Sequence, residues 1–221
     1  MIQDIENLIK KGDKHVTNFE YELAIDCYEK ALLIEPDDAE INNKLGSIYF
    51  ALNDYDTALE YYENAQLLFH TNTEAYNNLG NIYLKKQDLN KSIETFKKSL
   101  SFDNNNYLTH YNLGCVYTEK LQYKLAIDSY KKALDINKED YRIYHNIGFC
   151  YGSIKNYDKG IENLNIAIKL EPNNAIIHFN LGILYIDNSQ KEEAKKHLLQ
   201  AKLLNKSIKG IDEHLDNLKD C

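Results

Sequence analysis

The sequence predicts an all-α fold that is built from antiparallel helix pairs. Three observations predict it: one pattern returns every 34 residues, apolar residues inside each copy have helical spacing, and polar segments break each copy into two apolar runs. A helical hairpin that repeats at a fixed period cannot cover its apolar face alone, so neighbouring hairpins must stack. We therefore expect a solenoid rather than a single globular bundle.

Glycine marks the register of the repeat. Frames of 34 residues that start at residue 5 carry glycine at their eighth position in all six copies, although the chain has only nine glycines. These glycines are Gly12, Gly46, Gly80, Gly114, Gly148 and Gly182. The resulting repeats are 5–38, 39–72, 73–106, 107–140, 141–174 and 175–208.

The first apolar run of each repeat predicts a helix, which we call helix A. In the third repeat, Ala75, Leu79 and Ile82 follow one another at intervals of four and three, which places them on one helical face. Glycine inside a helix costs about 0.5–1 kcal/mol relative to alanine. Its return at position 8 therefore predicts a close approach by a second helix, with the small residue at position 20 on the other side of the contact.

The second apolar run predicts helix B of the same hairpin. The segment from Leu125 to Ile136 shows the pattern, and polar residues around position 15 separate it from helix A. Position 24 carries a large apolar or aromatic residue in every repeat. Pro36 and Pro172 share position 32, where proline stops helix B before the next repeat begins.

These positions resemble the tetratricopeptide repeat (TPR), whose pattern has Leu-Gly at positions 7 and 8, Tyr at 11, Ala at 20 and 27, an aromatic at 24 and Pro at 32. The resemblance covers residues 5–208, and repeat one departs from it with Lys11 and His15 at positions 7 and 11. It implies a right-handed α-α superhelical solenoid that forms a single domain over residues 1–221. It also implies that positions 2, 5, 6, 9, 12 and 13 of helix A face a concave groove.

The residues after the sixth repeat predict one more helix. Ile211, Leu215 and Leu218 continue the helix A spacing, whereas Asp216 takes the place of the glycine. No helix B follows that would need a close approach. We therefore expect a capping helix over residues 207–219 that covers the apolar face of repeat six.

Composition narrows the function classes. The net charge of -8 and the absence of a clustered basic face disfavour nucleic-acid binding. Apolar runs are too short for membrane insertion, and four scattered cysteines without a CxxC pair favour a reduced, cytoplasmic location. We find no catalytic motif, no cofactor loop and no metal-ligand spacing, so we expect neither an enzyme nor a cofactor.

Asparagine recurs at position 6 of helix A in four successive repeats. These residues are Asn78, Asn112, Asn146 and Asn180. A ladder of side-chain amides offers donors and acceptors to the backbone of an extended peptide. The pattern is similar to the asparagine ladders in the TPR groove of O-linked N-acetylglucosamine transferase. The alternative is that asparagine is merely tolerated at this position.

The other groove positions divide the chain into a polar half and an apolar half. Asn77 and Asn81 widen the polar surface in repeat three. The apolar half adds further candidate contacts: Tyr111, Arg142, His145, Phe149, Phe179 and Ile183. Buried aromatic residues are frequent interface anchors, so Tyr111, Phe149 and Phe179 are the candidate hot spots. The alternative for repeat six is that its apolar residues are covered by the capping helix or by a second copy of the chain.

The function that follows is a non-catalytic scaffold or adaptor that binds an extended peptide or a partner helix of another protein in its groove. Two alternatives stay open: a self-associating module whose groove is filled by its own or a sister chain, and a regulatory or targeting subunit of a larger complex. A clamp for the acidic tail of a chaperone is disfavoured, because the groove supplies only Arg142 where such a clamp needs several cations.

Overall fold

The computed structural model describes residues 2–218, which form thirteen helices and no strand, so the predicted all-α fold of paired helices is confirmed. The helices are α1 (Ile2–Thr17), α2 (Tyr21–Ile34), α3 (Ala39–Ala51), α4 (Tyr55–Leu68), α5 (Thr73–Lys85), α6 (Leu89–Phe102), α7 (Tyr107–Glu119), α8 (Tyr123–Ile136), α9 (Tyr141–Ser153), α10 (Tyr157–Leu170), α11 (Ala175–Asp187), α12 (Lys191–Leu204) and α13 (Ile211–Asn217). Odd-numbered helices from α1 to α11 are helices A, and the helix after each is its helix B.

The chain divides into two compact units, one that ends at Asn105 and one that starts at Asn106. Unit 1 holds the hairpins α1–α2, α3–α4 and α5–α6. Unit 2 holds the hairpins α7–α8, α9–α10 and α11–α12, followed by α13. Within each unit, helix B of one hairpin packs against helix A of the next. The single domain expected from the repeats stays a prediction.

The glycine at position 8 lies against the side chain at position 24 of its own repeat. A Cβ placed on Gly114 would lie 2.5 Å from Cε1 of Tyr130, which is closer than two such atoms can approach. The same contact recurs in the other five repeats, where the nearest atom is at 2.5–2.8 Å and belongs to Tyr28, Tyr62, Phe96, Leu164 or Leu198. The large side chain at position 24 therefore fills the space that the missing side chain leaves.

The small residue at position 20 lies beside this contact. In repeat three, the Ser92 hydroxyl donates a 2.7 Å hydrogen bond to the Gly80 carbonyl. In repeat five, the carbonyl of Gly160 would lie 3.0 Å from a Cβ on Gly148. Position 20 thus approaches the backbone of helix A as expected, but the side chain at position 24 is the main reason for the glycine.

A left-handed residue ends helix A in every repeat. Six residues other than glycine have φ between 58° and 63°, and all of them occupy position 15: Phe19, Asn53, Gln87, Leu121, Lys155 and Ser189. The next residue donates its backbone N–H to the carbonyl at position 11, as Gln122 does to Tyr117 at 2.8 Å. This is the Schellman arrangement, which satisfies the last carbonyls of a helix.

Asparagine and aspartate start most of the helices. The side chain of Asn106 accepts from the N–H of Thr109 at the start of α7, and that of Asn174 accepts from Ile177 at the start of α11. Such caps satisfy N–H groups that have no partner inside the helix. The polar residues between the apolar runs therefore define where each helix begins.

The helix after repeat six is shorter than predicted. It runs over Ile211–Asn217, and Gly210 in front of it adopts a left-handed φ of 80°. Residue 219, where we placed its end, lies outside the described residues. Ile211 and Leu215 are buried against Leu198 and Ala201 of α12, so this helix covers the last hairpin of unit 2.

The contact between positions 8 and 24 predicts that Gly114→Ala destabilises the fold. The new methyl group would force the Tyr130 ring or the helix to move, and overpacking of this kind costs about 1–3 kcal/mol. Urea unfolding measures the change. Gly152→Ala is the control, because its Cβ would meet the Leu184 side chain at the longer distance of 3.1 Å. Equal losses of stability in the two variants would contradict this account.

The left-handed turn at position 15 predicts how the variants of Leu121 rank in stability. This residue is 70% exposed, so its replacement removes little buried surface. Glycine adopts the left-handed conformation freely, whereas a β-branched residue is strained there by about 1–2 kcal/mol. We expect Leu121→Gly to be more stable than Leu121→Val by about 1 kcal/mol or more in urea unfolding. The opposite order would show that the turn is not left-handed in solution.

Candidate binding groove

The predicted contact residues lie in both units and are described for each unit separately. Asn77, Asn78 and Asn81 lie on α5 of unit 1. The others lie on α7, α9 and α11 of unit 2: Tyr111, Asn112, Arg142, His145, Asn146, Phe149, Phe179, Asn180 and Ile183. The helices α5, α7, α9 and α11 are all helices A, because the contact residues were predicted from the groove positions of helix A.

A pocket of about 190 Å³ lies between α9 and α11 of unit 2, and we call it the α9–α11 pocket. It is lined by Phe149, Gly152, Ser153, Asn180, Ile183, Leu184 and Asp187. Three of these, Phe149, Asn180 and Ile183, were predicted from the sequence. Gly152, Ser153 and Asp187 were not selected, although they occupy positions 12 and 13, which the repeat pattern assigns to the groove.

Phe149 forms one wall of the α9–α11 pocket and is 43% exposed. One side of its ring meets Tyr123 of α8 edge-on, with 6.3 Å between the ring centroids. Burial of an aromatic ring is a large source of binding free energy, and this ring keeps much of its surface open to solvent. It is therefore the strongest candidate anchor in unit 2.

The asparagines at position 6 connect neighbouring repeats. Asn180 Nδ2 lies 2.7 Å from His145 Nε2, and Asn146 Nδ2 donates to the Tyr111 hydroxyl at 3.3 Å. In unit 1, Asn78 Nδ2 donates to Asn43 Oδ1 at 3.2 Å. In each case the partner is the residue at position 5 of the preceding repeat. One N–H of these amides is thus used within the fold, which the sequence pattern did not reveal.

His145 is held in its neutral form. Burial lowers the pKa of its imidazole, and the contact with Asn146 offsets this only in part. The Asn180 amide is a donor, so Nε2 of His145 must accept and carry no proton. His145 therefore adds a polar but uncharged side chain to the groove near pH 7.

Arg142 is neutralised by an acid on its own helix cap. Its guanidinium donates to both carboxylate oxygens of Asp140, through Nε at 2.9 Å and Nη2 at 2.5 Å. These hydrogen bonds hold the pKa of Asp140 below its usual value. The guanidinium also lies over the Tyr111 ring, 5.4 Å from its centroid. Arg142 is consequently a poor receptor for an acidic peptide, which adds to the shortage of cations in the groove that the sequence showed.

The helix α13 occupies part of the apolar surface of repeat six. Phe179 meets His214 of α13 edge-on, with 5.9 Å between the ring centroids. Phe179, Ile183 and Ile186 pack against the cluster that Ile211 and Leu215 form with α12. The structure thus favours the covered alternative for Phe179, while Ile183 also lines the open α9–α11 pocket.

The groove residues of unit 1 are polar. Asn77, Asn78 and Asn81 are half-buried on α5. A second pocket, of about 220 Å³, lies between the first hairpins and includes Asp13, Lys44 and Glu74 among its lining residues. Lys44 Nζ lies 2.8 Å from Asp13, which also accepts from the Tyr28 hydroxyl at 2.6 Å. Charges in this pocket are largely paired with one another.

Two features that the described residues lack concern metal binding and membrane insertion. Within residues 2–218, no group of three or more histidine, cysteine, aspartate or glutamate side chains is arranged to hold a metal ion. In the same part of the chain, no helix is long and apolar enough to cross a membrane.

Family models place the chain among known repeats. Models described as tetratricopeptide repeat match residues 37–105, 71–139 and 175–208, and a model described as TPR repeat matches residues 20–51 and 151–189. The chain therefore belongs to the tetratricopeptide-repeat family, as the resemblance predicted. No curated protein matches the sequence significantly.

Solved structures share the fold at low identity. The pilF protein of Pseudomonas aeruginosa matches with a TM-score of 0.84 and 16% identity, over 99% of this chain and 97% of that chain. YrrB, described as a TPR protein with an unusual peptide-binding site, matches with a TM-score of 0.72 and 23% identity, over 86% and 97%. The MamA protein of Desulfovibrio magneticus RS-1 matches with a TM-score of 0.72 and 22% identity, over 77% and 97%.

The family and the fold together define a class of protein. Tetratricopeptide repeats are generally non-catalytic modules that bind other proteins or peptides, and their solenoids present extended binding surfaces. The chain is accordingly a protein-interaction repeat scaffold.

The contact between Asn180 and His145 predicts a pH dependence. Because the folded pKa of His145 lies below its ordinary value of 6.5, the unfolded chain takes up this proton first. The contribution of His145 to stability is thus complete above about pH 6.5 and is lost as the pH falls below that value. An NMR titration of the imidazole should give a pKa below 6.5.

Asn180→Ala should move the His145 pKa upward, because it removes the donor to the neutral ring and admits water. Ile176→Ala, on the same helix but exposed, is the control and should leave the titration unchanged. A wild-type His145 that titrates at or above its ordinary value would contradict the buried, accepting state of this ring.

Proposed function

We propose that unit 2 binds an extended segment of a partner protein along α7, α9 and α11, with one apolar side chain of that segment in the α9–α11 pocket. The observation that carries this proposal is an open pocket with an exposed aromatic wall, on the helix positions that the repeat pattern assigns to the groove. Large exposed apolar side chains in such a setting are typical of interaction sites.

The size of the pocket favours a side chain over a free small molecule. Sites for drug-sized ligands occupy about 300–1,000 Å³ and bury most of the ligand. The α9–α11 pocket holds about 190 Å³ and is open along the groove, so it suits a single side chain whose backbone continues past it.

The amide of Asn180 supplies a contact for that backbone. Its Nδ2 faces His145, while its Oδ1 accepts no hydrogen bond from residues 2–218. A carboxamide oxygen can accept an N–H from an extended peptide. Asn180 also lines the pocket, so a backbone amide and an apolar anchor can be held by adjacent groups.

A structural neighbour supports binding of a peptide rather than of a folded surface. YrrB shares the fold and is described as a TPR protein with an unusual peptide-binding site. At 23% identity this likeness concerns the fold, and the contacts proposed for this chain depend on its own residues.

Self-association is the less favoured alternative. The apolar residues Phe179 and Ile186 were expected to be covered by the capping helix or by a second copy of the chain, and they pack beside α13 of the same chain. The cytoplasmic location, the absence of nucleic-acid and membrane partners and the place within a larger complex remain predictions from composition and family.

The anchor role of Phe149 predicts a specific loss of binding. A random heptapeptide library displayed on phage supplies ligands, whose affinities are then measured by fluorescence anisotropy. Removing a central aromatic anchor typically costs about 2 kcal/mol or more, so Phe149→Ala should weaken binding by about 30-fold or more. Its thermal melt should change little, because the ring is 43% exposed.

Leu199→Ala is the matched control for this experiment. Leu199 lies on α12 and is 49% exposed, so its truncation removes a similar open apolar surface on a helix B. It should alter affinity by less than about twofold. Equal effects of the two variants, or a library without any ligand that depends on Phe149, would exclude the pocket as the binding site.

A further inference from the structure

We infer that the segment bound by unit 2 carries a basic side chain close to its apolar anchor, and that Asp187 receives this basic group. The inference rests on the proposed function, because it specifies the chemistry of the ligand at the same pocket. It depends on three features of Asp187: its position, its lack of a partner and the backbone around it.

Asp187 lines the α9–α11 pocket and is exposed there. Among residues 2–218, no lysine, arginine or histidine side chain forms an ion pair with it, and it accepts no hydrogen bond. A carboxylate at the mouth of an apolar pocket attracts a cation most strongly when no internal cation neutralises it.

The backbone strengthens this negative potential. Asp187 is the last residue of α11, and the C-terminal end of a helix carries a partial negative charge. The helix α9 ends at Ser153, which lines the same pocket. The C-terminal ends of two helices therefore line the same pocket as Asp187. An acid in this place destabilises its own helix, and a bound cation would offset that effect.

Among the described residues of unit 2, no cation at the groove positions offsets this charge. Arg142 is the basic residue at its concave positions, and Asp140 neutralises it. Glu119, the last residue of α7, occupies the same repeat position as Asp187 and likewise forms no ion pair within residues 2–218. By contrast, α5 of unit 1 ends with Lys85 at this position. Charge complementarity thus favours a basic segment in unit 2.

The spacing between Ile183 and Asp187 defines which residues of the bound peptide would contact them. Ile183 and Asp187 are four residues apart on α11, which places their Cβ atoms about 5–6 Å from each other. In an extended chain, residues two apart point to the same side and lie about 6.6 Å apart. A segment with an apolar residue and a lysine or arginine two positions from it would therefore contact Ile183 and Asp187 together.

The heptapeptide library displayed on phage tests this chemistry directly. Peptides that bind through Phe149 should be enriched in lysine or arginine two positions from a leucine, isoleucine, valine or phenylalanine. For a selected peptide, we expect Asp187→Asn to weaken binding by about 3- to 10-fold, which matches an exposed charge pair backed by a helix end. Raising the salt concentration should weaken wild-type binding but affect the Asp187→Asn variant much less.

Asp135→Asn is the matched control, because it removes an exposed carboxylate from helix α8 without touching the pocket. It should leave the affinity unchanged. Asp187→Lys should reverse the preference, so that peptides with aspartate or glutamate in place of the basic residue bind more tightly. The melts of all variants identify any loss that results from unfolding.

The possible results separate this inference from the proposed function. Peptides that depend on Phe149 but show no basic preference, or bind Asp187→Asn as tightly as the wild type, would overturn the role of Asp187 and leave the groove function standing. A library without any Phe149-dependent ligand would overturn both.

Discussion

The close contact between a glycine on helix A and the buried side chain at position 24 of helix B underlies the rest of the structure. A Cβ on Gly114 or Gly80 would lie within 2.5 Å of the facing ring, so the two helices of a hairpin can approach this closely only because that atom is absent. This contact holds one face of helix A against helix B. Positions 5, 6 and 9 are thereby turned toward the groove, where Phe149 and Asn180 form the α9–α11 pocket. The groove surface thus depends on the position-8 glycines that lie behind it.

Sequence patterns predicted the parts of this arrangement that repeat. The 34-residue period and the apolar spacing were sufficient to predict the helix pairs, because each repeat carries the same packing residues in the same register. They did not predict the left-handed turns, since residues such as Leu121 and Phe19 give no local sign of that conformation. Nor did they predict the bonds of Asn180 and Asn146 to the preceding repeat, which arise only when two hairpins are stacked. Those bonds depend on distances between residues 35 positions apart.

The residues of the candidate site also divide into those that the sequence predicted and those that it did not. Phe149, Asn180 and Ile183 were predicted because they occupy positions 6 and 9 of helix A, which the repeat register assigns to the groove. Asp187 was missed, because a carboxylate at a helix end looks like a solvated surface group until its place beside an apolar pocket is known. The role of Phe179 stays a prediction, since its ring is half-buried and meets His214 of α13. What a groove residue can bind therefore depends on which neighbours the fold leaves beside it.

The central claim is that a partner segment enters the groove of unit 2 through the α9–α11 pocket. The most direct measurement is a methyl NMR titration of the protein, labelled at isoleucine and leucine, with a peptide selected from the library. We expect the signals of Ile183 and Leu184, which line the pocket, to shift strongly, while those of Leu199 and Leu203 on α12 stay in place. Shifts concentrated on α12, with Ile183 and Leu184 unchanged, would contradict it.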